Sequence, residues 1–269
     1  MPDPAYSLDE LTNAVQNNKK YARLSPTLIN RIASEERSKH KDLKTALKST
    51  RTRLHRLTGA FLQDNTDYAQ WLNKFKAIPI NDTESHKTAA LQMMRAHAST
   101  RERLPFLENF FNTTLSSIAP VHSVLDLACG LNPLAIDFMP LSASVSYQAC
   151  DVIEPMIDFL QNWFTLQNSN GSAFVCDLLS EIPQQQTQVT FVLKTLPILD
   201  QVDSAFSSRL LDQILSEHIL ISYPSKSLGG RSKGMEQTYT SHFDQLTNSR
   251  MFRIQRFDFP NEIAFLLSR

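Results

Sequence analysis

Apolar positions along this chain follow two rhythms, which change over near residue 105. Up to that point they recur three or four residues apart, the spacing of helices that pack by one face. Ser25-Pro26 supplies a cap and a first-turn proline for a helix running to about Lys39. Residues 41–62 read as an amphipathic helix, with Leu43, Leu47, Leu54, Leu57 and Phe61 on one stripe. Lys41, Lys44, Lys48, Arg51 and His55 fall on the adjacent face. Further helices are expected over 67–78 and 83–97, and Ser99 with Glu102 fits a capping box that opens another.

From about residue 106 the rhythm shortens. Runs rich in β-branched and aromatic side chains predict strands at 121–128, 145–151, 173–177, 189–194, 219–223, 252–257 and 263–267. Strands alternating with helices imply a doubly wound parallel sheet. The last two are joined through Pro260-Asn261 without a helical crossover, so they read as a hairpin that adds an antiparallel strand. That ending marks class I S-adenosylmethionine (SAM)-dependent methyltransferases and not dehydrogenases. The expected fold is α/β: a mostly parallel, seven-stranded, doubly wound sheet of that class with an α-helical N-terminal extension. The expected division is a helical, RNA-docking domain at 1–105 and a SAM-binding, Rossmann-like domain at 106–269.

Composition adds limits. With 42% hydrophobic and 20% charged residues the 269-residue chain is ordinary for a globular protein, and only six glycines argue against collagenous or linker-rich architecture. The opening MPDPAYSLDELTNAVQNN has no basic start followed by an apolar core, and no apolar run has the length of a bilayer span. Neither a signal peptide nor a membrane partner is expected, and the chain reads as cytoplasmic. Cys129, Cys150 and Cys176 lie far apart in apolar, strand-like settings, which suits buried thiols and neither a disulfide framework nor a metal site.

Charge changes the picture more. The net charge is zero, yet residues 19–56 carry twelve Lys and Arg against Glu35, Glu36 and Asp42. Residues 104–193 carry eight Asp and Glu and no Lys or Arg. A basic arm on an acidic body points to a polyanionic partner for one and a different ligand for the other. The arm lacks the alternating carboxylates of a merely solvated face, which makes Lys19, Lys20, Lys41, Lys44, Lys48 and Arg51 candidates for RNA phosphates. Lys226, Arg231 and Lys233, in the glycine-rich run 225–235 after the fifth strand, form a second such group at the rim of the site.

The chemistry-bearing positions lie at strand ends, where doubly wound sheets bind their ligands. The first strand runs into Asp126-Leu127-Ala128-Cys129-Gly130, where Gly130 lets backbone approach a ligand and Ala128 leaves it room. The G-x-G-x-x-G fingerprint that cradles a pyrophosphate is absent. SAM has no phosphate to cradle, and an acid before the turn suits its sulfonium. The second strand ends in Asp151, placed to accept both ribose hydroxyls. The third ends in Asp177-Leu178, placed for the adenine amino group and for covering its ring. A single strand-end Asp is often just a helix cap; three on successive strands, Asp126, Asp151 and Asp177, point to a cofactor.

Arg103, one turn inside the helix before the sheet, is suited to fork onto the methionyl carboxylate. After the fourth strand comes Lys194-Thr195-Leu196-Pro197, not the Asn/Asp-Pro-Pro-aromatic turn of enzymes that methylate exocyclic amines. No cysteine stands there for attack on pyrimidine C5. A ring nitrogen with a free lone pair, such as guanine N7, needs neither device. No acid, base or nucleophile is therefore assigned, and Lys194, Asp200, Arg231 and Lys233 are candidates for positioning the target. On residues alone, a small-molecule methyltransferase and a non-catalytic RNA-binding or assembly factor of the same fold stay open.

HASTRERL (97–104), LACGLNPLA (127–135), FVLKTLPILD (191–200) and SLGGRSKGM (227–235) resemble the aminoglycoside-resistance 16S ribosomal RNA methyltransferases. KYARLSPTLINRI and RTRLHRLTGAFL extend the resemblance over nearly the whole chain, residues 63–92 matching least. It implies methylation of N7 of a decoding-site guanine of 16S rRNA in the assembled 30S subunit, with SAM as methyl donor. It also implies SAM contacts at Phe61, His97, Ala98, Ser99, Arg103, Ala128, Asp151, Asp177, Leu178 and Leu193. Asp200 stands where some relatives carry Glu. A decoding-site adenine-N1 methyltransferase is the neighbouring alternative; that family lacks the LACGLNP and SLGGRSKGM pair. A monomer is expected.

Overall fold

Side-chain caps punctuate the N-terminal part of the chain into short helices. The computed structural model describes residues 5–58, 66–225 and 235–269. Helices α1 (Leu8–Gln16), α2 (Pro26–Arg37), α3 (Leu43–Thr58), α4 (Tyr68–Lys76), α5 (Thr83–Met94) and α6 (Ala98–Arg103) precede the sheet. Ser25 caps α2 as predicted, with Pro26 in its first turn, and Asp67 and Asp82 cap α4 and α5. The capping box, however, lies on α1, where Ser7 Oγ accepts from Glu10 N at 3.0 Å and Glu10 Oε2 accepts from Ser7 N at 2.7 Å. At the predicted site, α6 starts from His97 without a side-chain cap. Ser99 sits inside the helix, and Glu102 instead reaches Lys194 Nζ at 2.8 Å. A buried-side ion pair outcompetes the cap.

Helix α3 is also turned from the expected stripe. It buries Ala46, Thr50, Leu54 and Leu57, leaving Leu43 and Leu47 half-buried at the edge. The small Ala46 and the self-satisfied Thr50, whose hydroxyl donates to Ala46 O at 2.8 Å, let α3 lie close against α1 and α2.

Helix α7 (Leu107–Leu115) leads into strands β1 (Val121–Leu127) and β2 (Leu141–Asp151); α8 (Glu154–Leu166), β3 (Gly171–Val175) and β4 (Val189–Leu193) follow. Next come α9 (Leu196–Leu199), α10 (Phe206–Gln213), β5 (His218–Pro224), α11 (Met235–Thr247), β6 (Arg253–Phe259) and β7 (Glu262–Ser268). The strand order is β3-β2-β1-β4-β5-β7-β6. β1 through β5 run parallel, and β7 pairs antiparallel with both neighbours, closing the predicted hairpin.

Two connections depart from simple alternation. Between β1 and β2 there is only a tight helical turn, Asn132–Phe138, opened by Pro133, and the run from β3 to β4 is irregular. Helices from before the sheet fill in: α5 and α7 pack on the Asn132–Phe138 turn and α4 packs on α8. The period-two alternation of the strands then feeds two cores. Val124, Tyr147, Phe191, Leu220 and Leu266 face α7, α8 and the N-terminal helices. Leu125, Val192, Ile219, Ile221 and Leu267 face the α10 and α11 side. Among the described residues, no helix is long and apolar enough to cross a membrane.

Candidate active site

The strand order reverses between β1 and β4, and a cleft opens at the carboxyl ends of the strands there. Ala128, Asp151, Asp177, Leu178, Leu193, His97 and Ser99, all expected at the site, line it. The cleft also has a wall absent from the sequence reading: Leu28 of α2 with Leu57 and Thr58 of α3. Three residues around it have left-handed backbone, Ala128 (φ +50°), Gly130 (φ +53°) and Lys194 (φ +58°). For Ala and Lys that conformation is costly, and such strain concentrates where a backbone must be aimed. Gly130 is required twice over. Besides its dihedral, a Cβ there would sit 2.6 Å from His97 Cε1.

Asp151 is buried at the end of β2 and organises two turns. Its Oδ2 accepts from Gly130 N at 3.0 Å, and its Oδ1 from Val152 N at 2.7 Å and Ile153 N at 3.3 Å. Burial raises its pKa against those three backbone donors. Since a carboxylate offers about four acceptor positions, one is left for a ligand hydroxyl.

Asp126 is set deeper, away from the cleft lining. Its Oδ2 accepts from Tyr147 Oη at 2.7 Å and Asn132 Nδ2 at 2.8 Å, and burial pushes its pKa up to about 6. Asp177 lies two residues beyond β3, and its four acceptor positions are filled. Arg31 Nε (2.7 Å) and Ser180 Oγ (3.0 Å) bind Oδ2, while Arg31 Nη2 (3.3 Å) and Leu179 N (3.2 Å) bind Oδ1. The capping role of a strand-end Asp is thus present, and by this count the carboxylate keeps no acceptor position for the expected adenine amino group.

Arg103 is almost wholly buried, and its fork is turned onto Glu262 at the start of β7. Nε lies 3.1 Å from Oε2, Nη2 bonds Oε1, and Nη1 donates to Asn132 Oδ1 at 3.3 Å. Phe110 covers the guanidinium. Lys194 Nζ completes the cluster, 2.8 Å from Glu102 Oε2 and 3.3 Å from Glu262 Oε2. Burial alone would raise the pKa of Glu262, but Arg103 and Lys194 hold it below the usual carboxylate range. Burial, reinforced by Arg101, Arg103 and Lys194, pushes the His97 pKa down to about 4, so its imidazole is neutral at pH 7.

Of the remaining predicted residues, Ala98 is buried beneath the cleft lining, and Phe61, Lys226, Arg231 and Lys233 lie outside the described residues. Asp200 is turned onto the first turn of α10, accepting from Ser207 N (3.0 Å) and Ser207 Oγ (2.6 Å). Cys129 and Cys150 are buried, whereas Cys176, expected to be buried, is half-exposed and lines the cleft because β3 ends at Val175.

The basic arm divides into two sets. Arg31, Lys39 and Arg53 are paired with Asp177, Glu35 and Glu36. Lys19, Lys41, Lys44 and Lys48 are exposed and Lys20 is half-buried. Arg51, half-buried, gives its guanidinium to Ala14 O at 2.7 Å. The reading from sequence missed Glu262, Asn132 and Arg31. Only Glu262 had a local signal, an acid opening the otherwise apolar run EIAFLL.

The open acceptor position of Asp151 and the apolar walls of Leu28, Leu57, Leu178 and Leu193 fit a nucleoside. The model of a ribosomal RNA methyltransferase family (FmrO) matches residues 17–266. The 16S rRNA (guanine(1405)-N(7))-methyltransferase of Micromonospora echinospora is 34% identical over 269 residues, 99% of this chain and 98% of its own length. That of Frankia casuarinae is 33% identical over 267 residues, 98% of this chain and 94% of its own. Among solved structures, 16S rRNA methyltransferase RmtF in complex with S-adenosyl-L-homocysteine aligns at TM-score 0.81 and 28% identity, covering 97% of this chain and 98% of that one.

Proposed function

The chain belongs to the ribosomal RNA methyltransferase (FmrO) family, and from that premise we propose that it methylates N7 of guanine 1405 of 16S rRNA, the reaction named for its relatives. The observation that carries the reading is a family match over residues 17–266 joined to a strand-end cleft that fits the methyl donor. When bound, SAM supplies a methyl group on a positively charged sulfur. Asp151 accepts a ribose hydroxyl, Leu178 and Leu193 enclose the adenine, and Arg103, fixed by Glu262, offers its remaining N–H groups to a carboxylate. Guanine N7 carries a lone pair and no proton, so no side chain needs to act as a base. What the protein supplies is alignment and exclusion of water from an apolar cleft.

Residues 1–105 dock on the assembled 30S subunit in the cytoplasm through Lys19, Lys20, Lys41, Lys44, Lys48 and Arg51, and residues 106–269 supply the strand ends that hold SAM, with Leu28, Leu57, Thr58, His97 and Ser99 of the first part completing the cleft wall. Lys194, Asp200, Arg231 and Lys233 position the target, and Lys226 contributes a further cation toward RNA. Methylation removes a major-groove acceptor and leaves a fixed positive charge, which repels polycationic drugs seated on that edge. The test is methyl transfer to purified 30S subunits with mapping of the modified base, beside growth in gentamicin and apramycin. Modification of the guanine with resistance to gentamicin alone is expected. Modification of an adenine, or resistance to apramycin, overturns the assignment.

A further inference from the structure

We propose that Arg31 is a positioning residue for the adenosyl end of the cleft. Reaching in from the basic helical layer, it fixes the Asp177 carboxylate and with it the 177–178 backbone against which the adenine lies. The proposal rests on the cofactor reading above. Arg31 was one of twelve cations counted toward a polyanion, and its geometry removes it from that role. Its guanidinium makes a two-point contact with Asp177, 2.7 and 3.3 Å, across 146 residues of sequence. The two side chains are only 19% and 3% exposed. A fork-to-carboxylate pair of this kind fixes direction as well as distance.

The helix that carries Arg31 is itself registered on the neighbouring strand end. Ser25 N donates to Val152 O at 2.8 Å and Glu154 N to Arg23 O at 3.0 Å, so the entry to α2 is stitched to the turn that follows Asp151. Leu28 and Arg31, three residues apart, share one face of α2. Leu28 lines the cleft, and Arg31 grips Asp177. On its other side Arg31 Nη1 meets Glu35 at 3.1 Å, which Arg53 of α3 holds in turn at 2.7 Å. Asp177, whose remaining acceptor positions hold the 177–180 turn, therefore has its orientation set by the N-terminal layer.

The experiment titrates S-adenosylhomocysteine and its inosine counterpart, which carries a 6-oxo group for the 6-amino group, by calorimetry. Wild type should prefer the adenine compound, the 177–178 backbone and not the filled Asp177 carboxylate meeting the 6-position. Arg31→Met, which keeps length and loses charge, should weaken S-adenosylhomocysteine by about tenfold and narrow that preference. Arg31→Lys should recover part of both. Arg31→Met combined with Asp177→Asn leaves no unpaired buried carboxylate, so it guards against a folding defect in the single variant, and its preference should stay narrow. Unchanged affinity in Arg31→Met, or weaker affinity at an unchanged preference in either Met variant, overturns the proposal, because Arg31 would then only join two layers. Absence of binding to both compounds by wild type overturns the cofactor reading itself.

Discussion

Replacing Gly130 by Ala probes a close backbone approach beside the cleft. Two costs arise, and both can be sized. Its φ of +53° is left-handed, which costs an L-residue about 1–2 kcal/mol. The new Cβ falls 2.6 Å from Cε1 and 2.9 Å from Nε2 of His97, a buried ring held by Ser99 Oγ at Nδ1. Overpacking of this kind costs about 1–3 kcal/mol. The sum is a destabilisation of about 2–5 kcal/mol, read from urea unfolding. Affinity for S-adenosylhomocysteine should fall with it, since Gly130 N would shift from Asp151. Repeating the change in a His97→Ala background removes the ring and should leave only the dihedral cost of about 1–2 kcal/mol. A cost below about 1 kcal/mol would falsify the dihedral reasoning, and an equal cost with and without the ring would refute the steric part.

Asp151→Ala should weaken S-adenosylhomocysteine by about ten- to a hundredfold. It should also lower the melting temperature, because three backbone N–H groups lose their acceptor; an unchanged melting temperature contradicts that structural role. Replacing Lys41, Lys44 and Lys48 by Ala should flatten the salt dependence of 30S binding by about two to three log units per log unit of salt while sparing cofactor affinity. An unchanged slope would make that face mere solvation. His97, depressed from 6.5 to about 4, favours folding fully above pH 6.5, and that contribution is lost as pH falls through 4. Asp126, raised from 3.8 to about 6, works in the opposite sense, its contribution present below pH 3.8 and lost as pH rises through 6. His97→Gln should therefore gain stability relative to wild type between pH 6.5 and 4; parallel urea curves for the two proteins would contradict the shift.

The sheet was legible because its signals are local. β4 and β5 announce themselves by apolar runs, and the β6–β7 hairpin by Pro260-Asn261. What stayed hidden was set by distance along the chain. Nothing near Arg103 names Glu262 as its partner 159 residues away, and nothing near Asp177 names Arg31. The capping box was misplaced for the same reason: Ser99 and Glu102 have the right spacing, but Lys194 arrives from β4 and takes the carboxylate. The stripe of α3 was misread because Leu43 and Leu47 outweigh Ala46 and Thr50 in hydrophobicity, whereas close helix approach selects the small residues.

The shortened connection between β1 and β2 has a consequence for how the chain melts. The sheet lacks a crossover helix there, and α5 from the N-terminal half occupies the space. Leu24, Leu28, Met93 and Met94 consequently belong to the same apolar cluster as Val124 and Phe191 of the sheet. A chain shortened to its C-terminal part would bare that surface to water and lose a share of the burial that holds the sheet together. The two halves share one apolar cluster, so heat should release them in one cooperative event.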